Sequence, residues 1–254
     1  MHYPSWRQQL VRSLHLHRSK PEAKYFQVAS TSLKGLPTLR TMVFRQFIDD
    51  TNLLASVTDM RSDKVMHWQN NYHTQLHWYF AKTREQYRIS CHVSMLAKQN
   101  GEIVFINDYK PSFDKKPKAV LMEQWQNLSP TARGGFFVPA PKSLYKADDA
   151  DCSALTTMVI EGSDSETSLN SEHAQDGQEP DRKAHATSKQ IDADANYIKR
   201  NPSPYFVAVL FEPYKVDYLD LKTNPHTRQL HSLGGTEENP RPSESVWTCV
   251  RVHA

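Results

Sequence analysis

Cysteine is scarce: Cys91, Cys152 and Cys249 are the only three in 254 residues, odd in number, far apart and without a CxxC spacing. Such usage argues against a disulfide framework and a thiolate zinc site, and points to a reducing compartment, the cytoplasm. No apolar run approaches the roughly 18 residues of a membrane span, and no apolar leader stretch follows Met1, so no membrane partner is expected. An excess of one charge is missing too. Lys and Arg number 31 against 28 Asp and Glu, a net +3 with a pI near 8.6, which gives no basis for expecting nucleic acid. His67, His73, His77 and His92 have no recognised metal-ligand spacing and read as surface or strand residues, so no metal site is expected.

What is present suffices for a packed domain. Hydrophobic residues make up 38% and aromatics 10% of the chain, enough to fill a core. Residues 1–147 read as the first part of one domain and 204–254 as strands completing it. Between them, 148–203 contains GSDSETSLNSEHAQDGQEPDRKAHATSKQ, which offers almost nothing to bury and reads as a disordered low-complexity insertion. The first twenty residues carry Arg7, Arg12, Arg18 and Lys20 without an acid, as mitochondrial presequences do. Trp6, Leu10, Val11 and Leu14 equally suit an amphipathic helix packing on the domain, and that is the reading adopted.

Period-two patterning dominates the rest. Lys24–Ser32 and Thr38–Ile48 form a hairpin about Gly35-Leu36-Pro37, and Leu53–Thr58 is a short apolar strand. Asp59 or Ser62 caps a short helix with Val65, Met66 and Trp68 on its apolar face. Gln75–Ala81, Gln86–Ala97 and Glu102–Ile106 follow as strands, and Lys115–Leu128 has helical spacing stopped by Ser129-Pro130. Tyr205–Phe211, Lys215–Leu221 and Val246–Val252 are the last strands. The fold class expected is mainly β (α+β), an antiparallel barrel with flanking helices. Trp68, Trp78 and Tyr79 read as core or interface residues.

Thr38–Arg88 concentrates the polar chemistry. Arg40 and Arg45, five residues apart, fall on opposite faces of a regular strand unless a bulge intervenes. Ser62 and Lys64 sit in a turn at a helix start, where a hydroxyl, backbone N–H groups and an ammonium suit a phosphate. Gln86 opens a strand, and its amide can donate to or accept from a heterocycle. Each has a bland alternative as a solvated strand or cap residue.

Together, GLPTLRTMVFR, SVTDMRSDK and WYFAKTREQYRIS resemble the FMN-binding core of the pyridoxamine 5'-phosphate oxidase family and its flavoprotein relatives. The family's Arg-x4-Lys strand, Tyr-Thr pair, Ser-Arg-Lys turn and Arg-Gln strand start recur in this order, most fully over Tyr25–Arg88. The resemblance implies an FMN-binding split β-barrel, FMN as cofactor, a homodimer with flavin at its interface, and oxidoreductase activity on a small molecule such as a B6 vitamer. A flavin-binding module without turnover, or a scaffold, is the alternative.

Position by position, the resemblance makes Arg40 and Arg45 the family's flavin-strand Arg and Lys, with the backbone of Thr41, Met42, Val43 and Phe44 along the ring. Thr58 matches the family Thr, and Val57 stands where a Tyr is usual. Ser62 and Lys64 become phosphate ligands; Asp63 replaces an Arg whose charge Arg61 is expected to supply. Gln86 becomes a flavin contact. Arg228 becomes one from the second subunit, and His226 a substrate-side residue, although Leu219 and Asn224 depart from the family Trp and Arg. The family's Tyr-x3-Arg-x3-Ser substrate set is met by Trp125, Ser129 and Arg133, so Ser129 and Arg133, with Arg45, are the substrate candidates of an altered site.

Overall fold

The structure is a computed structural model that describes residues 3–144, 196–234 and 246–254. In chain order the elements are α1 (Ser5–Leu16), β1 (Tyr25–Thr31), β2 (Pro37–Val43), β3 (Gln46–Phe47), β4 (Leu54–Asp59), α2 (Asp63–Asn70), β5 (His73–Phe80), β6 (Glu85–Gln99), β7 (Glu102–Phe105), α3 (Pro117–Gln126), α4 (Pro130–Gly134), β8 (Phe206–Asp220), β9 (Thr227–Leu233) and β10 (Trp247–Val252). The chain divides into two compact units, Met1–Gln124 with Tyr205–Ala254, and Trp125–Pro204. The insertion expected at 148–203 lies outside the described residues as far as 195; residues 196–200 are helical. Among the described residues no helix is long and apolar enough to cross a membrane.

The first unit is one antiparallel sheet of ten strands in the order β10-β9-β8-β6-β5-β1-β2, with β4 also pairing β8, β3 pairing β4 and β7 pairing β6. The mainly-β expectation holds among the described residues. Strict alternation produces it: β5 (HTQLHWYF) buries Thr74, Leu76, Trp78 and Phe80 and turns His73, Gln75 and Tyr79 outward. Tyr79 is therefore a surface residue, whereas Trp68 and Trp78 are fully buried. The inward rows join Phe26, Trp78, Phe44 and Phe211 through ring contacts of 5.2–5.7 Å. Burying one such aromatic is worth about 2–3 kcal/mol before the entropy of ordering it is subtracted.

Three expectations need correction. Tyr205–Phe211 and Lys215–Leu221 are one 15-residue strand, β8, and not two. Pro213, which lacks an N–H, lies between the two ranges. The register instead slips there, Ser90 facing Lys215 and Cys91 facing Pro213, which leaves Tyr214 as the extra residue of a bulge. Thr38–Ile48 divides into β2 and β3, because Phe44 N turns to Lys24 O while Arg45 N turns to Ala55 O. In α2, Met66 is 48% exposed and His67 takes its place inside.

Helix α1 is docked at both ends. Trp6 and Leu10 are fully buried, with Trp6 against Trp247 of β10 at 5.3 Å, while Val11 is exposed. Ser13 Oγ donates to Glu85 Oε2 at 2.8 Å, Tyr218 OH donates to Glu85 Oε1 at 2.9 Å, and Arg12 reaches the same carboxylate at 3.3 Å. Arg7 and Arg12 thus belong to a helix seated on the sheet, and Arg18 and Lys20 follow its end.

Candidate functional site

The turn after β4 gathers hydroxyls and an ammonium within one helical start. Lys64 Nζ donates to Thr58 Oγ1 at 2.9 Å and to Ser62 Oγ at 3.0 Å, and the two hydroxyls lie 3.1 Å apart. Ser62 is the N-cap of α2, yet its side chain caps no backbone N–H; it donates instead to Asp59 O. Val65 N donates to Ser62 O at 3.0 Å in the first turn of the helix, and a helix start with hydroxyls and an ammonium beside it is a setting in which anions bind. Val57, next along β4, is half-buried.

Arg40 approaches this cluster from β2. Its guanidinium donates to Val28 O at 3.1 Å, Ser30 Oγ at 2.7 Å and Thr38 Oγ1 at 2.6 Å, and His67 Nδ1 of α2 lies 3.0 Å from Ser30 Oγ. Burial pulls the Arg40 pKa down and the Asp63 carboxylate at the head of α2 pulls it up. Ser30, Thr38 and His67 were not foreseen as part of the site; a Ser and a Thr flanking an Arg across a hairpin are too common a pattern to signal it.

The expected role of Arg61 is overturned. Its Nε and Nη2 donate to the Asp59 carboxylate at 2.9 and 2.7 Å, and its guanidinium lies 4.0 Å over the Tyr205 ring, so its charge is already compensated. Hydrogen bonding to Asp59 raises its pKa. The local cations for an anion are Lys64 and Arg40.

Arg45 lies beyond the end of β2, so the alternation that would have set it opposite Arg40 does not apply to it. Its Nε is buried without a hydrogen-bond partner, and burial lowers its pKa. An orphaned guanidinium N–H is costly, and a ligand acceptor would satisfy it. Beside it, β2 is the last strand of the sheet path, with β1 as its one ladder partner. The exposed Thr41, buried Met42 and half-buried Val43 belong to this edge strand, where Val43 O already accepts from Ser56 Oγ at 2.9 Å and Thr41 is the position open to a ligand.

Pairing register sorts the remaining candidates by face. Arg40 shares the core-facing row of Val28, Leu76, Ile89 and Val216. Gln86, opposite Leu219, which faces Arg228, is on the other side of the sheet. There Arg228 donates to Asp217 Oδ1 at 2.9 Å and Oδ2 at 2.7 Å, and Arg88 also bonds Asp217 Oδ2. Burial raises the Asp217 pKa, but the two arginines outweigh it and hold the carboxylate below its ordinary range. One protomer therefore brings Arg40, Thr58, Ser62 and Lys64 together, but puts Gln86 and Arg228 on the opposite sheet face.

The substrate candidates are otherwise occupied. Ser129 caps α4 by accepting from Ala132 N at 3.2 Å, and buried Arg133 donates to Leu128 O at 2.6 Å and Gln126 O at 3.3 Å. His226 is exposed, with Nδ1 2.9 Å from Thr223 O. Of the four histidines expected at the surface or in strands, His73, His77 and His92 lie in β5 and β6, with His92 at 2% exposure among Tyr72, His73, Tyr109 and Tyr214, whereas His67 is buried in α2. Among the described residues no three His, Cys, Asp or Glu form a metal-binding group.

A hydroxyl–ammonium cluster at a helix start, beside the last strand of an antiparallel sheet, suits a phosphate-bearing ligand. Residues 3–97 match the family of the pyridoxamine 5'-phosphate oxidase FMN-binding domain. The chain is 27% identical over 245 residues to pyridoxine/pyridoxamine 5'-phosphate oxidase 2 of Arabidopsis thaliana, covering 96% of this chain and 98% of that one. A pyridoxamine 5'-phosphate oxidase-related FMN-binding protein from Nostoc punctiforme superposes with a TM-score of 0.68 at 25% identity, over the whole of both chains. PhzG of Burkholderia lata, solved with tetrahydrophenazine-1-carboxylic acid, shares the fold at 13% identity and a TM-score of 0.61, covering 100% of this chain and 98% of that one. Over residues 3–97 the chain is similar to the pyridoxamine 5'-phosphate oxidase FMN-binding domain, and the cofactor that this similarity indicates is FMN.

Proposed function

We propose that this protein is an FMN-dependent oxidoreductase of a small molecule of the B6-vitamer kind, working as a homodimer in the cytoplasm. The observation that carries the reading is the convergence of Lys64, Ser62 and Thr58 at the start of α2, with Arg40 held beside it by Ser30 and Thr38. In this reading Lys64 and the two hydroxyls bind the FMN phosphate, and Arg40 adds positive potential. The β2 edge at Thr41, Met42 and Val43 accepts the ring, flanked by Val57 and with Arg45 satisfying its buried Nε. Gln86 and Arg228, on the opposite sheet face, reach the flavin from the second subunit, which is why the reading requires two copies.

The chemistry supplied by bound FMN is acceptance of a hydride from the substrate and passage of the electrons to an acceptor. The protein's share is orientation, exclusion of water by the aromatic core behind β2, and positive charge from Arg45 at the site edge. Substrate selection falls to Arg45 and His226, because the hydrogen bonds of Ser129 and Arg133 go to backbone groups within their own unit. That same commitment favours a second reading, a flavin-binding module without turnover.

The test is an absorbance spectrum of the purified protein followed by pyridoxamine phosphate under air. Release of pyridoxal phosphate from a yellow protein supports the oxidase. A yellow protein inert to this donor supports the module, and a colourless one that takes up no added FMN refutes both.

A further inference from the structure

Between the end of α1, the turn leading into β1 and the last residues of β2 lies a cleft of about 620 Å³, within the range of small-molecule sites. Its walls are apolar, from Leu14, Pro21, Ala23, Val43 and Phe44, and its rim carries Arg18, Lys20 and Lys24. No acidic side chain lines it; Glu22, in the same turn, is outside the lining. Arg18 contacts only His15, at 3.4 Å to the ring and 3.2 Å to the carbonyl, and among the described residues neither lysine forms an ion pair. Three uncompensated cations from seven consecutive residues therefore converge on one apolar concavity.

Surface cations are ordinarily just solvated, and singly these three would be. The concave apolar wall behind them changes that reading, because a cleft of this size left to water is unfavourable and a ligand fitting it must also answer the charge. We propose that this cleft binds a small organic anion, a carboxylate or phosphate monoester on a compact apolar body, with the body against Leu14, Ala23 and Phe44 and the headgroup between Arg18, Lys20 and Lys24. The site is separate from the anion cluster of Thr58, Ser62 and Lys64, with which it shares no lining residue. Val43 and Phe44 are common to the cleft and to the stretch that the resemblance lays along the flavin ring.

The test is isothermal titration of the FMN-loaded protein with 2-naphthoate, 2-naphthyl phosphate and neutral 2-naphthamide. At least one anion is expected to bind, about tenfold or more tighter than the amide, since charge-assisted hydrogen bonds of this kind carry that factor. The preference between carboxylate and phosphate identifies the headgroup. The variant R18E/K20E/K24E, altered only at exposed positions, is expected to weaken the anion at least about tenfold while keeping its flavin content and Tm; R18A/K20A/K24A gives the same result to a lesser degree if charge reversal disturbs folding. Equal binding of amide and anion, an unchanged affinity in both variants, no binding at all, or binding seen only before FMN is loaded would each overturn the inference. The last result would make the cleft part of the flavin site, and it leaves the flavin reading itself intact.

Discussion

Lys64 Nζ stands 2.9 Å from Thr58 Oγ1, across the turn that joins β4 to α2. Replacing the ammonium with an isosteric apolar chain removes the charge of the proposed phosphate site without touching the core. Lys64→Met is expected to weaken FMN binding tenfold to hundredfold, about 1.5–3 kcal/mol. Quenching of flavin fluorescence on titration with apoprotein measures it, and an affinity equal to wild type would remove Lys64 from the site.

Asp217 is the one carboxylate between Arg88 and Arg228, whose side chains remain 40% and 30% exposed. Exposure limits what the pair contributes, so Asp217→Asn is expected to cost only about 1 kcal/mol. The sign with pH follows from the depressed folded pKa: the contribution is present above the ordinary carboxylate value and is lost as pH falls below about 4. Melting curves should therefore separate the variant from wild type at pH 7 and bring them together near pH 3.

His92 gives the complementary case. Burial, helped by His73, lowers its pKa from 6.5 to about 4, and its Nδ1 is buried without a partner. Tyr72, Tyr109 and Tyr214 surround it, and the nearby Glu212 carboxylate, its own pKa raised by burial, accepts from Tyr109. Between pH 6.5 and 4 the unfolded chain holds a proton that the folded chain refuses, so stability declines over that window by at most about 3 kcal/mol and levels off below it. His92→Phe should flatten this part of the curve; a slope that persists in the variant would assign it to other groups.

Glu85 is buried, and Ser13, Tyr218 and Arg12 all direct hydrogen bonds to it. Glu85→Leu leaves the two hydroxyls to find other partners inside the fold. A loss of about 2–4 kcal/mol in urea unfolding is expected, with α1 becoming the first segment cut in limited proteolysis. Retention of wild-type stability would show that α1 is held by Trp6 and Leu10 alone.

Much of this was legible in the sequence. Alternation and short apolar runs located β1, β4, β5 and β6 within a residue or two, because a strand must turn apolar side chains to each face that it buries. The order of the Arg40, Thr58, Ser62-Lys64 and Gln86 motifs pointed to the flavin family before any coordinates. β9 was missed because TRQLHSL buries only His231 and so has no apolar period to read. Pro213 hid the continuity of β8, since a bulge depends on what the neighbouring strand does, and no local pattern records that. The occupation of Arg61, Arg133 and Arg228 was equally out of reach. An arginine's partner is chosen by three-dimensional proximity, and Asp59, Leu128 O and Asp217 became visible only once the chain was folded.

The contact between Trp6 and Trp247, together with the ladder of β4 on β8 from Leu54–Phe211 to Asp59–Phe206, joins the two ends of a long chain. A ribosome releases the N-terminal half many seconds before those partners exist, at about 5–20 residues per second. Until then Trp6 lacks Trp247 and Leu54 lacks Phe211, and the nascent protein holds only part of its core. Slow formation is expected from such distant pairing, and truncation within β8 should yield insoluble product in place of a smaller folded domain.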